Sequence, residues 1–375
     1  MPTAYAWRRA DLMRVLSVLG TRPNVMKLAP VVAAFATRPA IENVLVHTGQ
    51  HHDASMLDGF LDELGMPAPD HLLGVGAGSP TQQTAAILER LEPVLVSERP
   101  DLVLVVGDVT STVASALAAS KLEIPVGHIE AGLRSFDRSM PEELNRVVTD
   151  QLSDLLFTHS PEAAGNLERE GRPPGAIHEV GNTMIDTLVA MRERIEARQS
   201  ASNLGLTVGN YLVVTLHRPA LVDSVLLREA VAQICSLNQS LPVVFPLHPR
   251  TRARLGSTAE LDKAGVTISP PLGYLDFLSL VATSAGVLTD SGGIQEETSY
   301  LGIPCCTLRD NTERPVTVEL GTNVLLGLDP SRIAKVPEIV AEIRARPHSV
   351  PPLWDGHASD RIADVLEGYS SGHVW

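Results

Sequence analysis

The sequence predicts an α/β fold of two Rossmann-like domains with a central cleft. Three observations predict it. Short apolar runs alternate with helix-length stretches along the whole chain, the mark of a parallel sheet covered on both faces. The alternation comes in two series, separated by a charged and polar stretch, RERIEARQSASN. The chain has 375 residues, and at about 150 residues per domain that is room for two.

The first series opens with Arg14 to Leu19 (RVLSVL), a buried strand that ends in GTRP. The helix-like run VMKLAPVVAAFA follows, and Pro23 suits its first position. Asn43 to His47 is the second strand, and TGQHHD leads to another helix. A helix covers Gln82 to Leu95. Leu102 to Val106 ends in Gly107-Asp108, and Thr110 to Thr112 open an Ala-rich helix. Val126 to Ile129 ends in Glu130, and Leu155 to Thr158 and His178 to Val180 complete the series. The second series has strands at Tyr211 to Thr215, Val243 to Pro246, Val266 to Ser269, Gly286 to Thr289, Cys305 to Leu308 and Asn323 to Leu326. An amphipathic helix, Ala358 to Tyr369, closes the chain. These readings divide it into a tail (1–12), an N-terminal domain (13–190), a C-terminal domain (191–354) and a final helix (355–375) that packs back on the N-terminal domain.

With 44% apolar and 20% charged residues, the chain can bury full cores. A formal charge of −14 argues against nucleic acid or an anionic membrane as partner. Cys235, Cys305 and Cys306 make no disulfide framework and read as thiols of a cytoplasmic protein. No apolar stretch approaches the roughly 18 residues of a membrane span. Arg8 and Arg9 precede a short apolar run that Arg14 interrupts, which is not a signal peptide; Met13 is an alternative start.

Several motifs are missing. GVGAG at 74–78 is not G-x-G-x-x-G and follows no clear strand, and there is no Walker loop or H-E-x-x-H. His51 and His52 are adjacent, poor spacing for one metal, so no metal or other cofactor is expected.

The stretch Leu288 to Pro304, LTDSGGIQEETSYLGIP, reads as a strand, a tight turn and a helix start. Gly292 and Gly293 admit a ligand close to the backbone. The free N–H groups of the first helical turn suit an anion such as a diphosphate. Ser291 adds a hydroxyl, and Glu296 and Glu297 offer carboxylates to vicinal hydroxyls such as those of a ribose. An ordinary strand-to-helix turn is the competing explanation. Arg22 stands at the carboxyl end of the first strand, the edge where open α/β sheets bind ligands. Lys27 lies about one turn into the helix, where it also suits a solvated surface. Asp108, Glu130 and Glu142 flank strand ends of the first series. Asp108 also suits a helix cap near Val109, and Glu142 a capping box with Ser139. Glu130, after four apolar residues, needs a partner, and Arg134 is the one nearby. Acids in one half, with Arg22, His217, Arg218, Arg309, Arg314 and the Ser-Gly-Gly turn opposite, point to a nucleotide-sugar.

GTRP, TGQHH, VGDVTST, HIEAGLRSFDRSMPEELNR, TLHR, TDSGGIQEE and RDNTERP occur in this order across nearly the whole chain. With them the chain resembles the non-hydrolysing UDP-N-acetylglucosamine 2-epimerases, of glycosyltransferase-B-like fold. The resemblance implies interconversion of UDP-N-acetylglucosamine and UDP-N-acetylmannosamine without NAD or metal, by elimination of UDP to 2-acetamidoglucal and its re-addition. It implies an acid–base set of Asp108, Glu130 and Glu142, with His217 close to the reaction centre. It also implies Arg22, Ser291, Gly292, Gly293 and Arg314 on the diphosphate, Glu297 on the ribose, Phe277 at the uracil and Lys27 near the active site.

Two departures stand out. Pro219-Ala220-Leu221-Val222 follows TLHR where many relatives carry Glu-Asn. Gln50 and His248 fit an activator site for a second UDP-N-acetylglucosamine, but Asp53 replaces a common glutamine, and 74–82 lacks an arginine found in relatives. A homodimer is a family expectation. Alternatives are a hydrolysing epimerase, a glycosyltransferase of the same fold and an inactive nucleotide-sugar sensor.

Overall fold

The structure, a computed structural model, describes residues 12–49 and 54–369. The tail expected over 1–12 lies outside them but for Leu12. The chain forms two compact units. One takes the chain up to Thr187 and again from Leu353; the other spans Leu188–Pro352.

The first unit is built on a seven-stranded sheet of β1 (Met13–Leu19), β2 (Ile41–His47), β3 (His71–Leu72), β4 (Leu102–Val106), β5 (Val126–Ile129), β6 (Leu155–Thr158) and β7 (Ile177–Glu179). Their order is β3-β2-β1-β4-β5-β6-β7, and neighbours pair in parallel. The two-residue β3 has too little apolar pattern to be read from sequence. β4 (LVLVV) is buried at every position, as a strand covered on both faces must be. Each such side chain contributes about 1.5–3 kcal/mol. The expected helix over 82–95 runs longer, Pro80–Glu98, because Ser79 accepts from the Gln82 N–H and closes a capping box with it.

The second unit carries β8 (Leu212–Thr215), β9 (Val243–Pro246), β10 (Thr267–Ser269), β11 (Gly286–Thr289), β12 (Cys305–Thr307) and β13 (Asn323–Leu325). These strands are also parallel, in the order β10-β9-β8-β11-β12-β13. That is the Rossmann order, 3-2-1-4-5-6. In both sheets the order reverses beside the first strand, between β1 and β4 and between β8 and β11. The loops leaving those four strands carry GTRP, Gly107-Asp108, Leu216-His217-Arg218 and Asp290 to Gly293. Parallel pairing in register, Gly286 with Leu212 through Thr289 with Thr215, ends β8 and β11 at one level. Among the described residues no helix is long and apolar enough to cross a membrane.

The helix Ala358–Gly368 belongs to the first unit and packs on the helix Arg22–Ala36. Buried Asp186 holds its start, accepting from the N–H groups of Ala358 (3.1 Å) and Ser359 (2.7 Å) and from the Ser359 hydroxyl (2.7 Å). Burial pushes the Asp186 carboxyl up, and these hydrogen bonds oppose it only in part. Trp354 is 1% exposed, and its indole N–H donates to the His159 carbonyl at 2.9 Å. Trp354→Phe keeps most of the buried area but removes that buried hydrogen bond. It should cost about 1–3 kcal/mol. Urea unfolding measures this, and an unchanged midpoint would show that the bond contributes nothing.

Candidate active site

In the first unit, acids and cations meet at the carboxyl ends of β4 and β5. Glu130 follows β5 with φ of 69°, a left-handed conformation that a non-glycine residue adopts only under constraint. Its N–H is held by the Phe157 carbonyl at 3.1 Å. Its carboxylate accepts from the ammonium of Lys27, in the first turns of the helix Arg22–Ala36, and both residues are buried. The partner is therefore Lys27, not the expected Arg134. Arg134 turns to Asp150 and Glu170, each at 2.6 Å.

Asp108 follows β4. It does not cap the next helix, whose N-cap is Val109. Its carboxylate instead accepts from the fully buried guanidinium of Arg146, and its carbonyl accepts from Asn145 Nδ2 at 2.8 Å. Both donors come from the helix Pro141–Leu152, which also carries Glu142 in its first turn. The capping box expected between Ser139 and Glu142 does not form. Met140 is the N-cap, and the Ser139 hydroxyl donates to Asp137 at 2.6 Å. Glu143 holds the preceding loop, accepting from the N–H groups of Ser135 (2.7 Å) and Phe136 (3.0 Å). Asp108 and Glu142 line one cavity of about 220 Å³ with Thr21, Gln83, Thr110 and Asn145. Arg22 is exposed, its guanidinium 4.4 Å from the centroid of the Phe60 ring. Sequence reasoning passed over Arg146 and Asn145. The signal was there: Arg146 stands four residues after Glu142, one turn along the same helix face.

In the second unit, fully buried Asp290 ties the ends of β8 and β11 together. Its carboxylate accepts from the N–H groups of His217 (3.0 and 2.9 Å) and Arg218 (2.8 Å). His217 Nδ1 is 3.3 Å from the same carboxylate. Burial pushes the imidazole below the usual histidine range; Asp290 opposes this, while Arg218, His248 and Arg250 add to it. A cavity of about 210 Å³ brings together His217, His248, Phe277 and Ser291. His248 caps the helix Pro249–Leu255, accepting from the Arg250 N–H at 3.2 Å, and its ring centroid is 5.5 Å from that of His217. Gln50, named with it, lies outside the described residues. The departure at Pro219–Val222 forms a short helix, and Asp223 after it pairs with Arg250 and Arg254, each at 2.7 Å.

At the glycine turn, Gly293 caps the helix Ile294–Leu301, and a side chain there would meet nothing within 4 Å. Gly292 is different: a Cβ would lie 3.0 Å from a guanidinium nitrogen of Arg314. Arg314 is held by Glu296 at 2.9 Å and Glu313 at 2.7 Å, and Arg309 reaches Glu313 at 3.2 Å. Burial pushes the Glu297 carboxyl up to about 8; a hydrogen bond from Tyr274 opposes the rise and the charge of Glu296 adds to it. Among the described residues no group of three or more His, Cys, Asp or Glu is placed to hold a metal ion.

The comparisons with known proteins agree with one another. A family model described as UDP-N-acetylglucosamine 2-epimerase matches residues 33–367. The chain is 39% identical over 361 residues to the UDP-N-acetylglucosamine 2-epimerase of Methanococcus maripaludis, covering 94% of this chain and 97% of that one. It is 42% identical over 369 residues to the UDP-2,3-diacetamido-2,3-dideoxy-D-glucuronate 2-epimerase of Pseudomonas aeruginosa, covering 94% and 99%. The crystal structure of the Methanocaldococcus jannaschii UDP-GlcNAc 2-epimerase in complex with UDP-GlcNAc and UDP superposes with a TM-score of 0.84 at 39% identity, covering 95% of this chain and all of that one. Two Rossmann-like domains of the glycosyltransferase-B-like type, and similarity running from end to end, place the chain in the UDP-N-acetylglucosamine 2-epimerase family.

Proposed function

We propose that the protein interconverts UDP-N-acetylglucosamine and UDP-N-acetylmannosamine at C2, without hydrolysing the nucleotide-sugar. The observation that carries this reading is the carboxylate cluster. Asp108 and Glu130 are each fixed at a strand end by a buried cation, and Glu142 shares a cavity with Asp108.

The C2 hydrogen is not next to a carbonyl, so simple deprotonation is very hard. Elimination avoids that carbanion. A carboxylate takes the C2 proton while the bond from C1 to the diphosphate oxygen breaks. The electron pair of the C–H bond becomes the C1–C2 double bond of 2-acetamidoglucal, and UDP leaves with the pair of the C–O bond. UDP then adds back at C1 while an acid delivers a proton to the other face of C2. Base and acid address opposite faces, so more than one carboxyl group is needed. No electrons are gained or lost overall, so the reaction needs no redox cofactor.

The departing diphosphate needs electrostatic stabilisation. The glycine turn offers it in the N–H groups of the helix Ile294–Leu301, with Ser291 and Arg314 as further donors; the family resemblance adds Arg22. Phe277 supports a uracil platform and Glu297 a ribose site. His217, neutral near pH 7 on the direction of its shift, is suited to hydrogen bonding at the reacting centre.

The 42% identity to the Pseudomonas aeruginosa enzyme favours a second reading, the same chemistry on a UDP-2,3-diacetamido-glucuronate. Proton NMR in D2O distinguishes them. Growth of UDP-N-acetylmannosamine carrying deuterium at C2 is the expected result from UDP-N-acetylglucosamine. Release of free N-acetylmannosamine with UDP would overturn the non-hydrolysing reading. Turnover of the diacetamido-glucuronate alone would move the substrate to the second.

Asp108→Asn keeps shape but cannot accept a proton. Turnover should fall by about 10²–10⁴ with UDP affinity unchanged in calorimetry; near-normal turnover would remove Asp108 from the acid–base set.

A Glu297 that accepts from both ribose hydroxyls binds as the carboxylate. Its carboxyl pKa is about 8 in the free protein, so UDP binding should expel a proton. Affinity should therefore rise with pH above neutrality and level off beyond that value. Glu297→Gln should abolish the proton release and weaken UDP binding by roughly 10- to 100-fold, the loss of one or two charged hydrogen bonds. Calorimetry in buffers of different ionisation enthalpy reads both, and unchanged affinity would sink the ribose role.

A further inference from the structure

We infer that His128 is a positioning residue: a buried imidazolium that fixes the turn carrying Asp108 to the helix that holds the Asp108 carboxylate. This rests on the acid–base reading of Asp108 above.

His128 lies on β5 and is fully buried. Its Nε2 is 2.8 Å from the carbonyl of Gly107, and its Nδ1 is 2.7 Å from Asp150 Oδ1. A carbonyl oxygen only accepts. Asp150 also only accepts: its other oxygen takes N–H groups from Arg134 at 2.6 Å and Gly132 at 3.1 Å. Burial works against ionising Asp150, but its hydrogen bonds and charge contacts with His128 and Arg134 outweigh burial and hold the carboxyl below its ordinary value. A neutral imidazole has one N–H, so one nitrogen lone pair would face an oxygen lone pair inside the core. With a hydrogen on both nitrogens, both contacts are satisfied.

Arg134 shares its guanidinium between buried Asp150 and the exposed Glu170, so the other Asp150 oxygen, Oδ1, is left to the His128 ring. The two nearby buried cations are engaged elsewhere, Lys27 with Glu130 and Arg146 with Asp108.

The two acceptors have a purpose for the reaction. Gly107 immediately precedes Asp108, and a Cβ on Gly107 would lie 3.3 Å from the Glu130 carboxylate. Asp150 sits on the helix Pro141–Leu152, which supplies Asn145 and Arg146 to Asp108. His128 is thus a strut between the peptide leading into Asp108 and the helix gripping its carboxylate. It touches no reacting atom and acts through those two.

The test is a nitrogen-15 histidine spectrum of the full chain at about pH 7.5, where an ordinary histidine is mostly neutral. His128→Gln identifies the signal by its disappearance. Both ring nitrogens of His128 are expected at protonated positions, and a neutral tautomer would overturn the inference. If His128→Gln does not fold, Asp150→Asn serves: the His128 signal should move to that of a singly protonated ring, and an unmoved signal would overturn the role of Asp150. For positioning, His128→Gln should lower kcat on the order of 10- to 100-fold with little change in KM. Unchanged kcat, or a loss seen only in KM, would reject it. The spectrum needs no turnover, so it stands even if UDP-N-acetylglucosamine proves not to be the substrate.

Discussion

Lys27 and Glu130 are both buried where β5 ends, and neither would be tolerated there alone. Breaking such a pair by removing one partner typically costs about 3–5 kcal/mol, because an uncompensated charge is left in the interior. Yet the chain pays a second penalty at this place, a left-handed backbone at Glu130. A glycine would avoid the backbone penalty but would take the carboxylate away from Lys27. The arrangement is stable only because Lys27 comes from the first turns of the helix after β1, the strand next to β4, which is itself next to β5. The switch in strand order therefore does more than open a crevice. It brings a cation from the helix after one strand to a carboxylate just beyond another.

The two units solve the same geometric problem with different chemistry. In the first, side chains meet side chains: Lys27 with Glu130, Arg146 with Asp108. In the second, one side chain organises backbone. Asp290 leaves β11 and gathers the N–H groups of His217 and Arg218 as they leave β8, which ties the two loops together. Backbone donors suit a phosphate, whose oxygens need many N–H groups and no proton transfer. Side-chain carboxylates suit a reaction that moves protons.

Much of this was legible in the sequence because parallel strands buried on both faces are nearly continuous apolar runs. Leu102 to Val106, Val126 to Ile129 and Gly286 to Thr289 stand in the structure where the pattern puts them. Strand order was not legible in the same way, since apolar runs carry no record of their neighbours. Partners were the weakest part. Arg134 is four residues from Glu130 and Lys27 is 103 away, yet Lys27 makes the bond. After a strand the chain turns away, so nearness in sequence says little. Ser139 fits a capping box with Glu142 by spacing, but Asp137 takes its hydroxyl first. His128 reads as one more strand residue until its two acceptors are seen.

Glu296 and Glu297 show why sequence patterns alone do not assign roles to acids. Both lie in the first turn of one helix, where the dipole favours negative charge equally for each. Successive residues on a helix point about 100° apart, so they reach different surroundings. Glu296 meets the guanidinium of Arg314 at 2.9 Å, which pairs its charge within the fold. Glu297 meets burial, a Tyr274 hydroxyl and the charge of its neighbour, and its carboxyl rises to about 8. A dipole worth at most about 2 kcal/mol does not offset desolvation of a second charge beside the first. The helix thus keeps one acid as structure and leaves the other a proton to exchange, and the guanidinium of Arg314 decides which is which.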